Sequence, residues 1–357
     1  MTHIENTFIA YARHILGIAE EAMGRMAIKA ITKGGSDRCF YRLSLPNGKS
    51  FLFMAYGRQQ EENAYWAGIA AFLAELGVSV PAVYGHDPEL GFVLMEDLGD
   101  RDLWSYRHEP WEIRRDLYRK VLQRISPLHI FAQSSPGKGN GGRSANLSPR
   151  SPRTMKGYDR ELYRWEHDYF LEQFVRDVCR ISLAEREGVA LREELEALAG
   201  RLLVMGSALV HRDLQSQNIM ICGGEPIFID FQGLRRGSLF YDLGSLLCDA
   251  YVSLTEEERD ELLRYAYELL NLDLDWTRFR EGFQDGSAQR LMQALGAFGF
   301  LGLKKGKEAF LGHIPQGIEN LCRMAAASER LPQLLKLAER CRNGVRLTNR
   351  HLSLNVY

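Results

Sequence analysis

At one domain per ~150 residues, the 357-residue chain predicts two lobes or two domains, with length enough to bury a sizeable core. Its 45% hydrophobic and 25% charged residues are the balance of a soluble globular protein and exclude a disordered one. The 45 Lys+Arg against 46 Asp+Glu leave a net charge of -1, which removes the electrostatic case for a nucleic-acid binder or a membrane-surface protein.

No basic segment followed by an apolar one opens the chain, so no signal peptide is expected. The most apolar stretch, 291–303, has thirteen residues where a bilayer needs ~20, and reads as a buried helix. The six cysteines, Cys39, Cys179, Cys222, Cys248, Cys322 and Cys341, form no C-x-x-C pair and read as reduced, mostly buried thiols. A cytoplasmic, two-lobed protein is expected.

The first hundred residues are β-rich. Strands are predicted over 39–43, 50–54 and 91–95, the first two joined by Pro46-Asn47-Gly48, whose Asn-Gly step suits a tight hairpin. Between them Tyr65, Ile69, Phe72, Leu73 and Leu76 make a helical stripe over 61–76, ended by Gly77 and followed by an extended segment from Val80-Pro81. Beyond residue 100 the pattern is helical, over 158–178, 191–205, 255–270, 287–303 and 317–338, with Thr255 and Glu258 spaced as a capping box. The Gly/Ser/Pro/basic stretch 134–153 reads as a flexible loop. Short strands around a loop are predicted over 207–231. The expected domains are therefore 1–99, β-rich, and 100–357, helical with one embedded β-loop-β unit, the architecture of a kinase-like bilobal enzyme.

The chemistry concentrates in that unit. His211-Arg212-Asp213 followed five positions on by Asn218 fits H-R-D-x-x-x-x-N, and the apolar run Pro226-Ile227-Phe228-Ile229 leads into Asp230-Phe231. At ~5% usage per residue type, chance gives the other three fixed positions after one of nine histidines roughly once in a thousand. Phosphoryl transfer needs a carboxylate to orient and deprotonate the attacking hydroxyl, and oxygen ligands to hold metal against the ATP phosphates. Asp213 fits the first role. Asn218 and Asp230 fit the second, since Mg²⁺ takes oxygen donors.

These residues, with Gly34-Gly35-Ser36-Asp37-Arg38, Phe40, Arg42, Leu94-Met95-Glu96-Asp97-Leu98-Gly99-Asp100, Ile229-Asp230-Phe231-Gln232, Tyr241-Asp242-Leu243, Gln289-Arg290, Leu295-Gly296-Ala297-Phe298 and Ile314-Pro315, resemble the aminoglycoside phosphotransferase/choline kinase-like family. Within it the chain looks most like the bacterial anomeric kinases of N-acetylmuramate and N-acetylglucosamine, which serve cell-wall recycling. The resemblance runs from about residue 30 to 320. It implies an α+β, bilobal protein-kinase-like fold and an ATP- and Mg²⁺-dependent kinase that makes a sugar 1-phosphate. Gly34, Gly35 and Ser36 would turn over the ATP phosphates, where glycine lets backbone N–H groups approach. Glu96 and Leu98 would sit at a hinge whose backbone binds adenine.

One departure stands out. The family's usual third-strand lysine, partner of a helix glutamate, has no counterpart in Phe51-Leu52-Phe53-Met54-Ala55-Tyr56. Glu61 or Glu62 could be the glutamate, and Lys49 or Arg42 the replacement cation. On the acceptor side, Gln232 and Arg235 are candidate substrate contacts, Arg235 toward an anionic group or else in a solvated loop. Trp165-Glu166-His167-Asp168 reads first as a helix-surface charge cluster and second as a pocket wall with Glu166 on the substrate. Asp242 is expected to support the catalytic loop by hydrogen bonding. Tyr241 follows Asp230 by only eleven positions with no Ala-Pro-Glu after it, which leaves little space for a peptide platform and favours a small acceptor. Two alternatives remain open: a kinase of another small alcohol (an aminoglycoside, choline or a homoserine-like compound), or a catalytically dead nucleotide-binding scaffold.

Overall fold

The computed structural model describes residues 3–17, 26–31, 38–57, 59–131, 152–206 and 208–354. Helix α1 (His3–Leu16) is followed by β1 (Ala27–Ile31), β2 (Cys39–Ser44), β3 (Ser50–Ala55), α2 (Trp66–Glu75), β4 (Val83–Asp87) and β5 (Phe92–Glu96). The strands make one antiparallel sheet in the order β1-β2-β3-β5-β4. The β2–β3 hairpin is the predicted one. Gly48 supplies its positive φ of 82°, and the Leu45 N–H donates to the Lys49 carbonyl at 2.8 Å.

Alternation along the strands divides the sheet's two faces. Phe53 and Leu94 meet Phe8 and Ile9 of α1 in a small separate core. Met54, Val93 and Met95 point the other way, toward Trp66, Ile69 and Leu73 of α2, and join the main core. Strand β1 and helix α1 add to the predicted elements. β1 is an edge strand with mostly exposed side chains, so it carries little apolar patterning.

The rest of the chain is mainly helical. Helices α3 (Trp111–Phe131), α4 (Arg160–Tyr169) and α5 (Glu185–Val204) come first. Then follow β6 (Ala208–Val210), β7 (Ile219–Cys222), β8 (Glu225–Phe228) and β9 (Arg235–Gly237), paired as β6/β9 and β7/β8. Five helices close the chain: α6 (Leu239–Leu247), α7 (Glu256–Leu270), α8 (Trp276–Gly299), α9 (Ile314–Ala327) and α10 (Pro332–Leu354).

The capping box of α7 is formed, with the Thr255 N–H donating to Glu258 Oε2 at 3.0 Å and the Glu258 N–H to Thr255 Oγ1 at 3.2 Å. The predicted helix over 317–338 is two helices, because the chain turns between Ser328 and Leu331 and restarts at Pro332, whose missing N–H is harmless at a helix start. The predicted helix over 158–178 continues past α4 as a π-helical segment, Phe170–Arg176. All six cysteines are free thiols, but only half of them are buried: Cys248, Cys322 and Cys341 are, Cys179 and Cys222 are half-buried, and Cys39 is exposed. The predicted flexible stretch lies outside the described residues as far as position 151.

Helices α6 and α8 approach closely because glycine stands at the contacts. A Cβ on Gly286 would come within 2.5 Å of the Phe240 carbonyl oxygen, and one on Gly244 within 2.5 Å of the Ser287 Cα. Both obstacles are backbone and cannot rotate away. Gly286→Ala is therefore expected to cost about 1–3 kcal/mol of stability through forced backbone shifts, despite alanine's better helix propensity. Gly188 of α5 meets only the tip of Arg192, at 3.5 Å, so Gly188→Ala should be neutral or mildly stabilising. Thermal unfolding of the two variants side by side checks this; equal melting temperatures would contradict it.

Candidate active site

The loop after β6 is built on a buried carboxylate. Asp242 of α6 accepts from the His211 N–H at 2.7 Å, the Arg212 N–H at 2.8 Å and His129 Nε2 of α3 at 3.0 Å. Arg212 has a φ of +78°, a left-handed conformation that bulky residues rarely hold without such support. The His211 ring bonds the Ile229 carbonyl at 3.0 Å, and Asn218 Nδ2 donates to the Asp213 carbonyl at 2.9 Å. The loop is thereby closed on itself and tied to the segment before Asp230. The expected supporting role of Asp242 is seen in these bonds.

Asn218 and Asp230 flank the β7–β8 ribbon. Ile219 pairs with Phe228, and the Ile229 N–H donates to the Asn218 carbonyl at 3.0 Å, so one end of the ribbon carries both residues. Asp230 also has a left-handed backbone, φ +63°. Its Oδ1 accepts from Gln232 Nε2 at 2.9 Å and from the guanidinium of Arg38. The next residue, Phe231, packs its ring 4.9 Å from that of Trp66 at the start of α2, which couples the sheet-bearing part of the chain to this turn.

Asp213 lies against α8. Arg290 Nη2 donates to Asp213 Oδ1 at 3.0 Å and to Gln215 Oε1 at 3.3 Å, with the Arg290 side chain 7% exposed and that of Asp213 31% exposed. Burial pushes the Asp213 carboxyl upward, but Arg290, Arg212, His211 and Arg235 together outweigh it and hold the group below the usual carboxylate range. Asp213 is thus an ionised, partly open carboxylate in an arginine-rich setting. Beside it a shallow recess is lined by Gln215, Asp249, Tyr251, Arg290 and Phe298, among others.

The reading of 165–168 as a surface charge cluster needs correction. Trp165 and Asp168 are exposed, but Glu166 is fully buried and His167 nearly so. The Glu166 carboxylate accepts from Tyr158 Oη and Tyr241 Oη at 3.1 Å each and from Gln289 Nε2 at 3.0 Å, while His167 bonds the Gln289 oxygen at 2.8 Å. Burial raises the Glu166 pKa, against the opposing pull of Arg212 and its hydrogen bonds. Gln232 is likewise buried and turned onto Asp230. Arg235 is no solvated loop residue: it is 5% exposed, bonds the Gly233 carbonyl at 3.0 Å and lies 5.6 Å from the Tyr158 ring centre.

In the segment expected to be the hinge, Glu96 ends β5 and its carboxylate accepts from the Ala82 N–H at 3.1 Å; the Leu98 carbonyl accepts from Cys222 Sγ at 3.2 Å, which lays the segment against the β7–β8 ribbon. Arg42 does not replace the missing lysine. It pairs instead with the segment after β5, on Asp97 at 2.7 Å and Asp100 at 2.9 Å. Lys49 is exposed on the β2–β3 hairpin. Glu61 meets Tyr65 and, at 2.8 Å, Arg153. Met54, on the α2 face of β3, is 1% exposed and packed in the core. Gly34, Gly35 and Ser36 lie outside the described residues.

Asn218 and Asp230 offer only oxygen to a metal, the donor set that Mg²⁺ takes. Asp230 already holds a cation, the Arg38 guanidinium, so its carboxylate is placed to attract positive charge. Among the described residues no group of three or more His, Cys, Asp and Glu side chains could hold a metal ion, so the remaining ligands at Asn218 and Asp230 would have to be phosphate and water oxygens. Both points fit a nucleotide-bound Mg²⁺. Two residues escaped sequence reasoning as site members: Arg290 and Arg38. Their only signal was presence within matched motifs.

The N-acetylmuramate/N-acetylglucosamine kinase of Neisseria meningitidis serogroup B is 28% identical over 73% of this chain and 75% of its own. A protein of the same name from Pseudomonas putida is 24% identical over 90% of both chains. Among solved structures, the choline kinase LicA from Streptococcus pneumoniae superposes with a TM-score of 0.59 at 14% identity, over 90% of this chain and all of that one, a likeness of fold. The model of the phosphotransferase enzyme family matches residues 27–281, which span both the sheet and the loop that carries Asp213, Asn218 and Asp230; the chain belongs to that family.

Proposed function

We propose that the protein is an ATP-dependent kinase that phosphorylates the anomeric hydroxyl of an N-acetylated amino sugar, N-acetylmuramate or N-acetylglucosamine, giving the sugar 1-phosphate and ADP. The observation that carries this reading is the arginine-rich surround of Asp213. Arg290 is bonded to it, and Arg212 and Arg235 add positive charge. Choline and aminoglycosides are cations and would be repelled there, whereas an N-acetyl sugar is neutral or, with a lactyl carboxylate, anionic. The names of the curated relatives point the same way.

In this reading Asp213 orients the acceptor hydroxyl and takes its proton as the sugar oxygen bonds the γ-phosphorus. The bond from that phosphorus to the β–γ bridging oxygen breaks, and its electron pair leaves with ADP. Bound Mg²⁺, held by Asn218 and Asp230, would neutralise charge on the phosphates. A carboxylate kept below its usual range is a weak base. It suits an anomeric hydroxyl, which is more acidic than an ordinary sugar alcohol.

The experiment is acceptor blocking. A methyl glycoside at O1 should abolish turnover while methylation at O6 is tolerated, and the product's phosphorus should couple to H1 in NMR. Phosphorus coupled to H6, or kanamycin-like compounds turned over faster than any sugar, would overturn the assignment. No turnover of any acceptor would favour the scaffold reading, for which the absence of a lysine on β3 speaks.

A further inference from the structure

The missing lysine leaves the triphosphate without its usual cationic partner, and both sequence candidates for replacing it are committed elsewhere. Arg42 is bound to Asp97 and Asp100, and Lys49 is at an exposed turn. Glu61, a candidate partner glutamate, is paired with Arg153. One arginine does reach the phosphate side of the site. Arg38 stands immediately before β2, yet its guanidinium meets a carboxylate 192 positions away in sequence, that of Asp230. Its side chain is 7% exposed, whereas that of Asp230 is 35% exposed and so remains open to a second visitor.

We infer that Arg38 is the nucleotide-phosphate cation of this enzyme, and that Asp230 parks it while no metal is bound. The inference rests on the reading of Asp230 as a metal ligand. Asp230 Oδ1 serves both Arg38 and Gln232. A divalent cation arriving with the nucleotide competes for that same carboxylate, and two positive charges cannot share it without repulsion. The displaced guanidinium is then next to the metal-bound phosphates, to whose oxygens its planar fork is matched. The arrangement needs no lysine on β3, which explains how Met54 can be given to the core.

Binding measured by calorimetry with ATP and with AMP, in EDTA and in Mg²⁺, tests this without turnover. AMP shares the adenosine and lacks the β- and γ-phosphates. Arg38→Gln should weaken ATP binding about tenfold or more and leave AMP binding unchanged, since a hydrogen bond to a charged group is at stake. Arg38→Lys should recover part of the loss. Mn²⁺ alone, followed by its electron paramagnetic resonance, should bind Arg38→Gln more tightly than the wild type, because the competitor for Asp230 is gone. Asp230→Ala provides an arm that leaves Arg38 intact: metal-free ATP should bind severalfold more tightly while the gain from Mg²⁺ disappears.

A merely structural Arg38 would lower ATP and AMP affinity together, or leave the ATP-to-AMP ratio as it is; either outcome overturns the inference. Should Arg38→Gln not fold, metal-free ATP binding that is unchanged or weaker in Asp230→Ala overturns it equally. A wild type that phosphorylates the sugar while Arg38→Gln keeps its ATP preference sinks this inference alone. A wild type with no affinity for ATP sinks the proposed function and this inference with it.

Discussion

Asp213→Asn is expected to lower kcat by about 10²–10⁴-fold while leaving the dissociation constant for ATP within about threefold of the wild type. Asparagine has the size of aspartate and keeps one oxygen for Arg290, now 3.0 Å away. The loop should hold its shape, because its bonds run through the backbone. The Asp213 carbonyl accepts from Asn218 Nδ2 at 2.9 Å, and the neighbouring N–H groups of His211 and Arg212 are fixed by Asp242. What is lost is the negative charge and the site for the acceptor's proton, equivalent to about 3–5 kcal/mol of barrier. Arg290 would lose its counter-charge but keep Gln215 and Gln293, so melting should fall only modestly. A near-normal kcat on the best substrate would remove Asp213 from the mechanism.

How far such a site could be read from sequence depended on whether the informative contacts were local. His211 through Asn218 is a short motif with fixed spacing, and the β7–β8 ribbon that brings Asp230 to it is only twelve positions long between Asn218 and Asp230. The β2–β3 hairpin and the capping box of α7 are likewise signals confined to a few residues. Helix α8 shows the opposite case. Its first eleven residues show no apolar stripe because the face they bury carries Gly282, Asp285 and Gly286 beside Phe279 and Phe283. Its polar residues are inside because distant partners receive them: Asp285 is bonded by Arg201 at 2.8 Å, Gln289 by Glu166 and His167, Arg290 by Asp213. The same applies to Glu166, whose tyrosine and glutamine partners lie as far as 123 positions away. A charged residue on a helix looks solvated until the fold supplies such partners. Arg38 was opaque for that reason too.

Asp242 should be the residue whose loss costs most in stability and activity together. Its two oxygens face three donors, the N–H groups of His211 and Arg212 and the ring of His129, with no donor of its own required. That arrangement distinguishes it from an amide of the same shape. In Asp242→Asn one oxygen becomes an NH₂ group that points at an N–H, so at least one buried donor is left unpaired at about 1–3 kcal/mol, and the ring of His129 or a backbone group must shift. Asp242→Ala removes both acceptor oxygens, leaves all three donors unpaired and should cost more, about 3–5 kcal/mol, as losses of one side of a buried polar pair do. The activity loss follows from geometry. Arg212 holds a φ of +78° under this support, and its relaxation would move the adjacent Asp213. A misplacement of about 1 Å at a reacting group can cost about 10²-fold in rate. Thermal unfolding of both variants, paired with kcat and ATP affinity on the fraction that remains folded, separates the two effects. An Asp242→Asn protein that melts and turns over like the wild type would mean that the loop is held by something other than this carboxylate.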